Sequence, residues 1–324
     1  MNNPRSTPFI IVLVALCGAC SGSTTDTTAI ATTAPEVTVA PSTAEPTTSD
    51  ATVAESETVR PVLALVRTNG DNTDIYLVDE DGGETQLTAH EAYDEYPAFS
   101  PDGTMLAFDS VRTGDWETFV VNIDGTGLRQ LTDDPGEDGY PSWSPDGDAI
   151  AIDSERDGDF EIYIIDIESG AATQLTDNDA WDGEPAWSPD GDRIAFHSNR
   201  DGDEVFDLYV MDADGSNVER LAENGFSPAW SPDGTTIAFG KDPLEGGDRD
   251  LWIIDVASGS EQLIAGGEPW DDEPAWSADG SRIYFSSDRA GVFQVYSMLR
   301  DGSDVQLVAG GDDDTFSPAV VSSR

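Results

Sequence analysis

The phrase Pro97-Ala98-Phe99-Ser100-Pro101-Asp102-Gly103 returns as Pro141 to Gly147 and as Pro185 to Gly191, then in altered form at Pro228, Pro274 and Pro318. The intervals between these prolines are 44, 44, 43, 46 and 44 residues. A period of this size means one supersecondary unit copied in series, each copy burying its apolar face only against its neighbours. Within a copy, four short apolar runs are separated by turn residues. The third copy shows them as Ala186 to Ser188, Arg193 to His197, Leu208 to Met211 and Val218 to Leu221. Runs rich in Ile, Val, Tyr, Phe and Trp and bounded by Asp-Gly read as strands joined in hairpins. No stretch between them carries helical spacing. The unit is therefore a four-stranded antiparallel meander, with strands A to D.

The repeat count is six. The bulky A-strand position holds Phe99, Trp143, Trp187, Trp230, Trp276 and Val320. The C-strand aromatic is Tyr76, Phe119, Tyr163, Tyr209, Trp252 and Tyr296, and the D-strand leucine is Leu87, Leu131, Leu175, Leu221, Leu263 and Leu307. All three sets are expected to pack in the core. The first copy lacks an A strand, and the last has only an A strand. Joining them completes a sixth sheet from both ends of the domain, closes the ring and removes an open sheet edge. The expectation is an all-β, six-bladed β-propeller over residues 61–324, monomeric, closed by N- and C-terminal strands that share one blade.

Residues 1–20 have the layout of an export signal: Arg5, an apolar run from Phe9 to Leu16, then Cys17-Gly18-Ala19-Cys20. The run is too short for a stable membrane-spanning helix. Small residues before Cys20 resemble a bacterial lipoprotein signal, in which that cysteine carries the lipid; Cys17 stands where such signals have an aliphatic residue. Ordinary cleavage and secretion is the alternative. Residues 21–60 are almost entirely Ser, Thr, Ala, Pro, Val and acid, which cannot build a core. They read as a tether reaching on the order of 35 Å. Both cysteines lie before it, so no internal disulfide is expected in the propeller.

The chain has 65 acidic and 15 basic residues, a net charge of −50. This excludes nucleic acid as a partner and favours cations or basic protein surfaces. Basic residues recur in the B–C connections, as Arg67, Arg112, Arg156, Arg200, Lys241 and Arg289. Acidic ones recur three residues before the repeat proline, as Asp94, Asp138, Asp182 and Asp271, with Gly225 and Thr315 breaking the pattern. A structural ring of ion pairs between these two sets is expected. The D–A loops, placed on the top face at the channel mouth, are left with excess acid, including Glu184, Asp272 and Glu273. Such oxygen ligands suit Ca²⁺ in the channel, although no loop has EF-hand spacing. Aromatics outside the repeat pattern, among them Trp181, Trp270, Tyr96, Tyr140 and Phe226, are candidates to anchor a partner segment carrying Lys or Arg.

Nothing points to a catalytic set. The two histidines are His90 and His197, and His197 stands where other copies have Asp153 or Ser286. There is neither a Gly-x-Ser-x-Gly elbow nor a His-Glu-x-x-His pair. A calcium-dependent hydrolase or lactonase in the channel, and a carbohydrate-binding surface module, remain as alternatives.

The phrases at residues 185–191, 193–203 and 208–215, together with Gln174-Leu175-Thr176, resemble the WD-like repeats of the TolB-type β-propeller. The resemblance spans about residues 62–321. It implies a six-bladed propeller outside the cytoplasm whose mouth binds partner proteins of the cell envelope and can hold a metal ion. The family's N-terminal α/β domain is not found ahead of the repeats, where the signal and tether stand. The expected protein is a non-catalytic envelope propeller, lipid-anchored through Cys20, that binds an unidentified envelope protein or peptide through its acidic and aromatic top face.

Overall fold

The computed structural model describes residues 61–202, 205–243 and 247–321. The expected signal, Cys20 and tether lie outside the described residues. The domain holds six four-stranded antiparallel sheets. The first blade comprises β4 (Asp94–Phe99), β5 (Met105–Ser110), β6 (Glu117–Asn122) and β7 (Arg129–Gln130). The second comprises β8 (Asp138–Trp143), β9 (Ala149–Ser154), β10 (Glu161–Asp166) and β11 (Ala172–Gln174). The third comprises β12 (Asp182–Trp187), β13 (Arg193–Ser198), β14 (Asp207–Asp212) and β15 (Glu219–Ala222). The fourth comprises β16 (Gly225–Trp230), β17 (Thr236–Lys241), β18 (Asp250–Asp255) and β19 (Ser260–Ala265). The fifth comprises β20 (Asp271–Trp276), β21 (Arg282–Ser287), β22 (Gln294–Leu299) and β23 (Gln306–Ala309). The sixth has the order β24-β1-β2-β3, with β24 (Thr315–Val320) paired to β1 (Pro61–Thr68), then β2 (Thr73–Asp79) and β3 (Glu84–Gln86). The shared closing blade is thus formed as the sequence implies, with Leu63 opposite Val320 and Arg67 opposite Thr315.

The repeated phrase is a turn held by its own side chains. Ser100 Oγ lies 2.7 Å from Asp102 Oδ1 and accepts from the Met105 amide at 2.9 Å. Gly103, at φ 67°, takes the left-handed corner. Further out, the Leu-Thr pair ends the D strand in the same economical way. Thr88, Thr132 and Thr176 each present Oγ1 to a C-strand amide, those of Ile75, Thr118 and Ile162.

Hydrophobic packing runs between blades. Phe108, Phe196, Phe239 and Phe285 are fully buried at one B-strand position, and each contributes on the order of 2–3 kcal/mol of burial. Three A-strand indoles donate to the preceding blade: Trp143 to the Ala98 carbonyl, Trp230 to Ala186 and Trp276 to Ala229. Trp187 departs from this, its buried Nε1 having no hydrogen-bond partner among the described residues. The D-strand leucines correct the sequence reading. Leu263 and Leu307 are 47% and 58% exposed rather than core. In these two blades Trp252 pairs with Leu263 and Tyr296 with Leu307, so the bulged position of the other D strands falls one residue later, on Ile264 and Val308.

The A strands are longer than the sequence suggests. In the third blade, pairing continues upstream of the repeat proline to Asp182 opposite Ser198, after a bulge between Gly183 and Ala186. The residue before each proline is left-handed: Tyr96, Tyr140, Glu184, Ser227, Glu273 and Ser317 all have φ between 47° and 53°. Proline lacks an amide donor, and a bulge on an inner edge strand is where a sheet tolerates it. Asp182, Glu184 and their counterparts, expected in D–A loops, therefore sit on the strands that line the channel.

Candidate functional site: the channel and its collar

Four Asp and Arg pairs tie the A strand to the B–C connection of the same blade. Arg112 reaches Asp94 at 2.6 Å, Arg156 reaches Asp138 at 3.1 Å, Arg200 reaches Asp182 at 2.6 Å and Arg289 reaches Asp271 at 2.8 Å. All four carboxylates are buried. Each guanidinium also lies over the ring of the C-strand aromatic, at 4.5 to 5.0 Å from its centroid. Two expectations need correcting. Asp182 and Asp271, also assigned to partner contact, are sealed within their blades at 0% and 1% exposure and present nothing to a partner. Arg67 and Lys241 are not equivalent to the other bases. They stand two residues earlier, opposite Thr315 and Gly225, where the other blades pair a serine with the aspartate. Without that aspartate they turn outward to D-strand carboxylates, Arg67 to Glu84 and Lys241 to Glu261.

The six left-handed residues form the inner ring of the channel. Four of their amides, those of Tyr140, Glu184, Ser227 and Ser317, are received by side chains of the preceding blade. Tyr140 donates to Asp109 Oδ2 at 2.7 Å, Glu184 to Asp153 Oδ2 at 2.9 Å, and Ser227 to Glu184 Oε2 at 2.6 Å. Ser317, on the closing strand β24, donates its amide to Glu273 Oε2 at 2.9 Å and its hydroxyl to Oε1 at 3.0 Å. Ser286 completes this set, donating to Glu273 Oε2 at 2.6 Å.

These carboxyls diverge in acidity. Burial pushes Glu273 up to about 7, with Asp272 adding to the shift. Burial also lifts Asp109 and Asp153 well above the usual carboxylate range. Burial would raise Glu184 too, but the His197 ring and the Arg249 guanidinium bring it down to about 2. His197 is buried, with Nδ1 3.2 Å from Glu184 Oε2. The sequence reading had treated it as a tolerated repeat position.

Above this ring lies an aromatic collar. Trp181 stacks on Phe160 at 4.8 Å and meets Phe206 edge-on at 5.5 Å. Phe206 also contacts Phe226, at 5.6 Å. Arg249 lies 3.9 Å over Phe226 and 5.1 Å over Trp270, and is bonded to Asp272. Trp181 and Trp270 are half-buried in these contacts rather than standing free. Asp272 is 7% exposed, its Oδ2 taken by Arg249. Tyr96 and Tyr140 pack against each other with centroids 4.1 Å apart and planes tilted by 34°. Sequence reasoning missed Phe160, Phe206 and Arg249. Their signal was positional, since each directly precedes a C strand. A shallow cavity of about 630 Å³ beside Trp181 is lined by Asp177, Asn178, Asp179, Asn199 and Arg200 among others.

Calcium takes roughly six to eight oxygen ligands. Among the described residues, no group of three or more His, Cys, Asp or Glu side chains is arranged to hold a metal ion.

A closed six-bladed ring with an acidic channel under an aromatic collar defines a repeat propeller with one differentiated face. The family model described as "TolB beta propeller domain" matches residues 127–226 and again residues 221–324, together more than half of the sequence. The chain belongs to this family. It is 46% identical over 55 residues to a TolB homolog of Chlorobium luteolum and 43% identical over 56 residues to an uncharacterized protein of Agrobacterium fabrum. Each match covers 17% of this chain, and it spans 12% of the first relative and 19% of the second. The crystal structure of TolB from Acinetobacter baumannii superposes with a TM-score of 0.73 at 22% identity, covering 81% of this chain and 67% of that one.

Proposed function

We propose that this protein is a non-catalytic propeller of the cell envelope that docks a protein or peptide segment on its top face, with a lipid on Cys20 holding it at the membrane. The collar carries the reading. Aromatic side chains and one arginine gather at the channel mouth around buried carboxylates, the mixture that anchors interface hot spots. Family membership supports the same reading. The test is affinity capture from an envelope extract with the lipid-free secreted chain. A specific protein held by the wild type and lost with Trp181→Ala plus Trp270→Ala supports docking at the collar. Equal capture by both forms rejects the site.

A second reading, a hydrolase acting in the channel, draws on the divergent acidities of Glu184 and Glu273. Against it, both Glu273 oxygens are engaged by Ser286 and Ser317. Turnover of ester, lactone or glycoside substrates that is lost in Glu184→Gln would favour this reading over docking.

A further inference from the structure

We propose that Asn69, at the tip of the hairpin joining β1 and β2, is a site of spontaneous conversion to isoaspartate, and that this conversion loosens the blade closing the ring, independently of any docked partner. Asparagine followed by glycine is the step most open to this chemistry, because glycine has no Cβ to shield its amide nitrogen. The chain has two such steps, Asn69-Gly70 and Asn224-Gly225. The fold treats them oppositely.

Asn69, Gly70 and Asp71 are all exposed. The ladder between β1 and β2 ends at Thr68 opposite Thr73, and the Asn69 amide donates to the Asn72 carbonyl at 2.7 Å. The Gly70 amide makes no hydrogen bond among the described residues. Gly70 has φ 73°, and nothing lies within 4 Å of the point where a Cβ would stand. The step is thus free of both crowding and backbone pairing. Asn224-Gly225 is built the other way. Asn224 is 9% exposed, its amide donates to Asp207 Oδ1 at 3.0 Å and its carbonyl accepts from the Asp242 amide at 3.1 Å. Gly225 begins β16, pairs with Lys241 and packs so closely that an added Cβ would stand 2.8 Å from Leu208 Cβ. Held on both sides, Asn224 has no freedom to swing its side-chain carbonyl onto the next nitrogen.

At the open step, the Gly70 nitrogen attacks the side-chain carbonyl carbon of Asn69. The proton of that nitrogen and the side-chain amino group leave together as ammonia, and a cyclic imide remains. Water then opens the imide at either carbonyl. Opening at the side-chain carbonyl gives aspartate; opening at the main-chain carbonyl gives isoaspartate, whose backbone runs through the former side chain. The net change is ammonia lost and water gained, with nothing oxidised or reduced. Isoaspartate lengthens the connection that sets Arg67 opposite Asp74 in the closing blade. Charge adds to the effect. Asp74 is buried, and burial and Asp94 raise its carboxyl while the Asn69 side chain helps bring it down. A carboxylate in place of that amide turns a relieving neighbour into a repelling one.

The experiment is incubation of the full secreted chain at mildly alkaline pH, followed by tryptic mass spectrometry and thermal unfolding. The peptide of residues 68–112 is expected to exchange an amide for a carboxyl at Asn69, with isoaspartate identified by labelling with an isoaspartyl methyltransferase. The peptide of residues 221–241 should keep Asn224 intact in the folded chain and lose it only in urea. Gly70→Ala should largely suppress conversion at Asn69. An intact Asn69, equal conversion of both asparagines in the folded chain, or hydrolysis to aspartate alone would overturn the site. Should Gly70→Ala melt early, the comparison of the two asparagines within the wild type decides the matter. The aged chain should melt below the fresh one, and Asn69→Asp should reproduce only the part due to charge. Aged and fresh chains that melt together overturn the link to the closing blade.

Discussion

At the scale of single residues, charge is arranged to be neutralised in place. Asp182 has no exposed surface, and Arg200 is its cationic partner. Arg200→Met leaves that carboxylate buried without a counter-charge, with Asn178 as its remaining side-chain donor, and should cost about 3 kcal/mol in denaturant unfolding. Lys241→Met, at a half-buried pair with Glu261, should cost no more than about 1 kcal/mol in the same assay. The indoles offer a parallel contrast. Trp143→Phe and Trp276→Phe each break an inter-blade hydrogen bond and should lose about 1 kcal/mol more than Trp187→Phe, whose Nε1 has no acceptor. The recurring Asp and Arg were legible in the sequence because a repeat prints equivalent positions side by side. Arg67 and Lys241 were misplaced because each, like the other four, is the first basic residue after its B-strand apolar run. Only the ladder, with Arg67 opposite Thr315 and Lys241 opposite Gly225, reveals the two-residue offset.

At the scale of the strand, the left-handed residue before each repeat proline is the device that builds the channel. It kinks the A strand and, at Tyr140, Glu184, Ser227 and Ser317, sends its amide to the blade behind. Left-handed backbone costs a non-glycine residue roughly 1 kcal/mol. Ser227 Oγ makes no hydrogen bond among the described residues, so Ser227→Gly should raise the melting temperature by a few degrees and Ser227→Val should lower it, as followed by circular dichroism. The strand count, the turns and the shared blade were all readable from apolar runs and Asp-Gly pairs. The upstream extension of the A strands was not, because proline ordinarily marks a strand's end and a bulge leaves no compositional trace. That one omission moved Asp182, Glu184 and Glu273 from loops to the channel wall. The collar was half visible. Trp181 and Trp270 stood out as departures from the repeat, but Phe160, Phe206 and Arg249 became a group only when four blades were brought together.

At the scale of the whole molecule, buried acid sets the response to pH. Glu273, Glu117 and Glu161 are each raised by burial from 4.5 to about 7, and Asp138 from 3.8 to about 6. A raised carboxyl binds its proton more tightly in the folded than in the unfolded state. Its stabilising contribution is complete below the unfolded value and is lost as pH rises through the folded one. For Glu273 the loss amounts to roughly 3 kcal/mol. Glu184, lowered to about 2, acts in the opposite sense, and its contribution fades as pH falls from 4.5 through 2. Thermal unfolding across pH 3 to 8 should therefore show greatest stability near pH 5 and a decline towards pH 7.5; a flat or rising profile over that upper range would contradict these burials. The domain ends in a blade where Leu63 faces Val320 and Arg67 faces Thr315, so the start of β1 and the finish of β24 emerge at the same end of one ladder. A mechanical load applied across those two points would not shear the ladder along its length. It would peel the hydrogen bonds apart one after another, making the clasp the place where a pulled ring yields first.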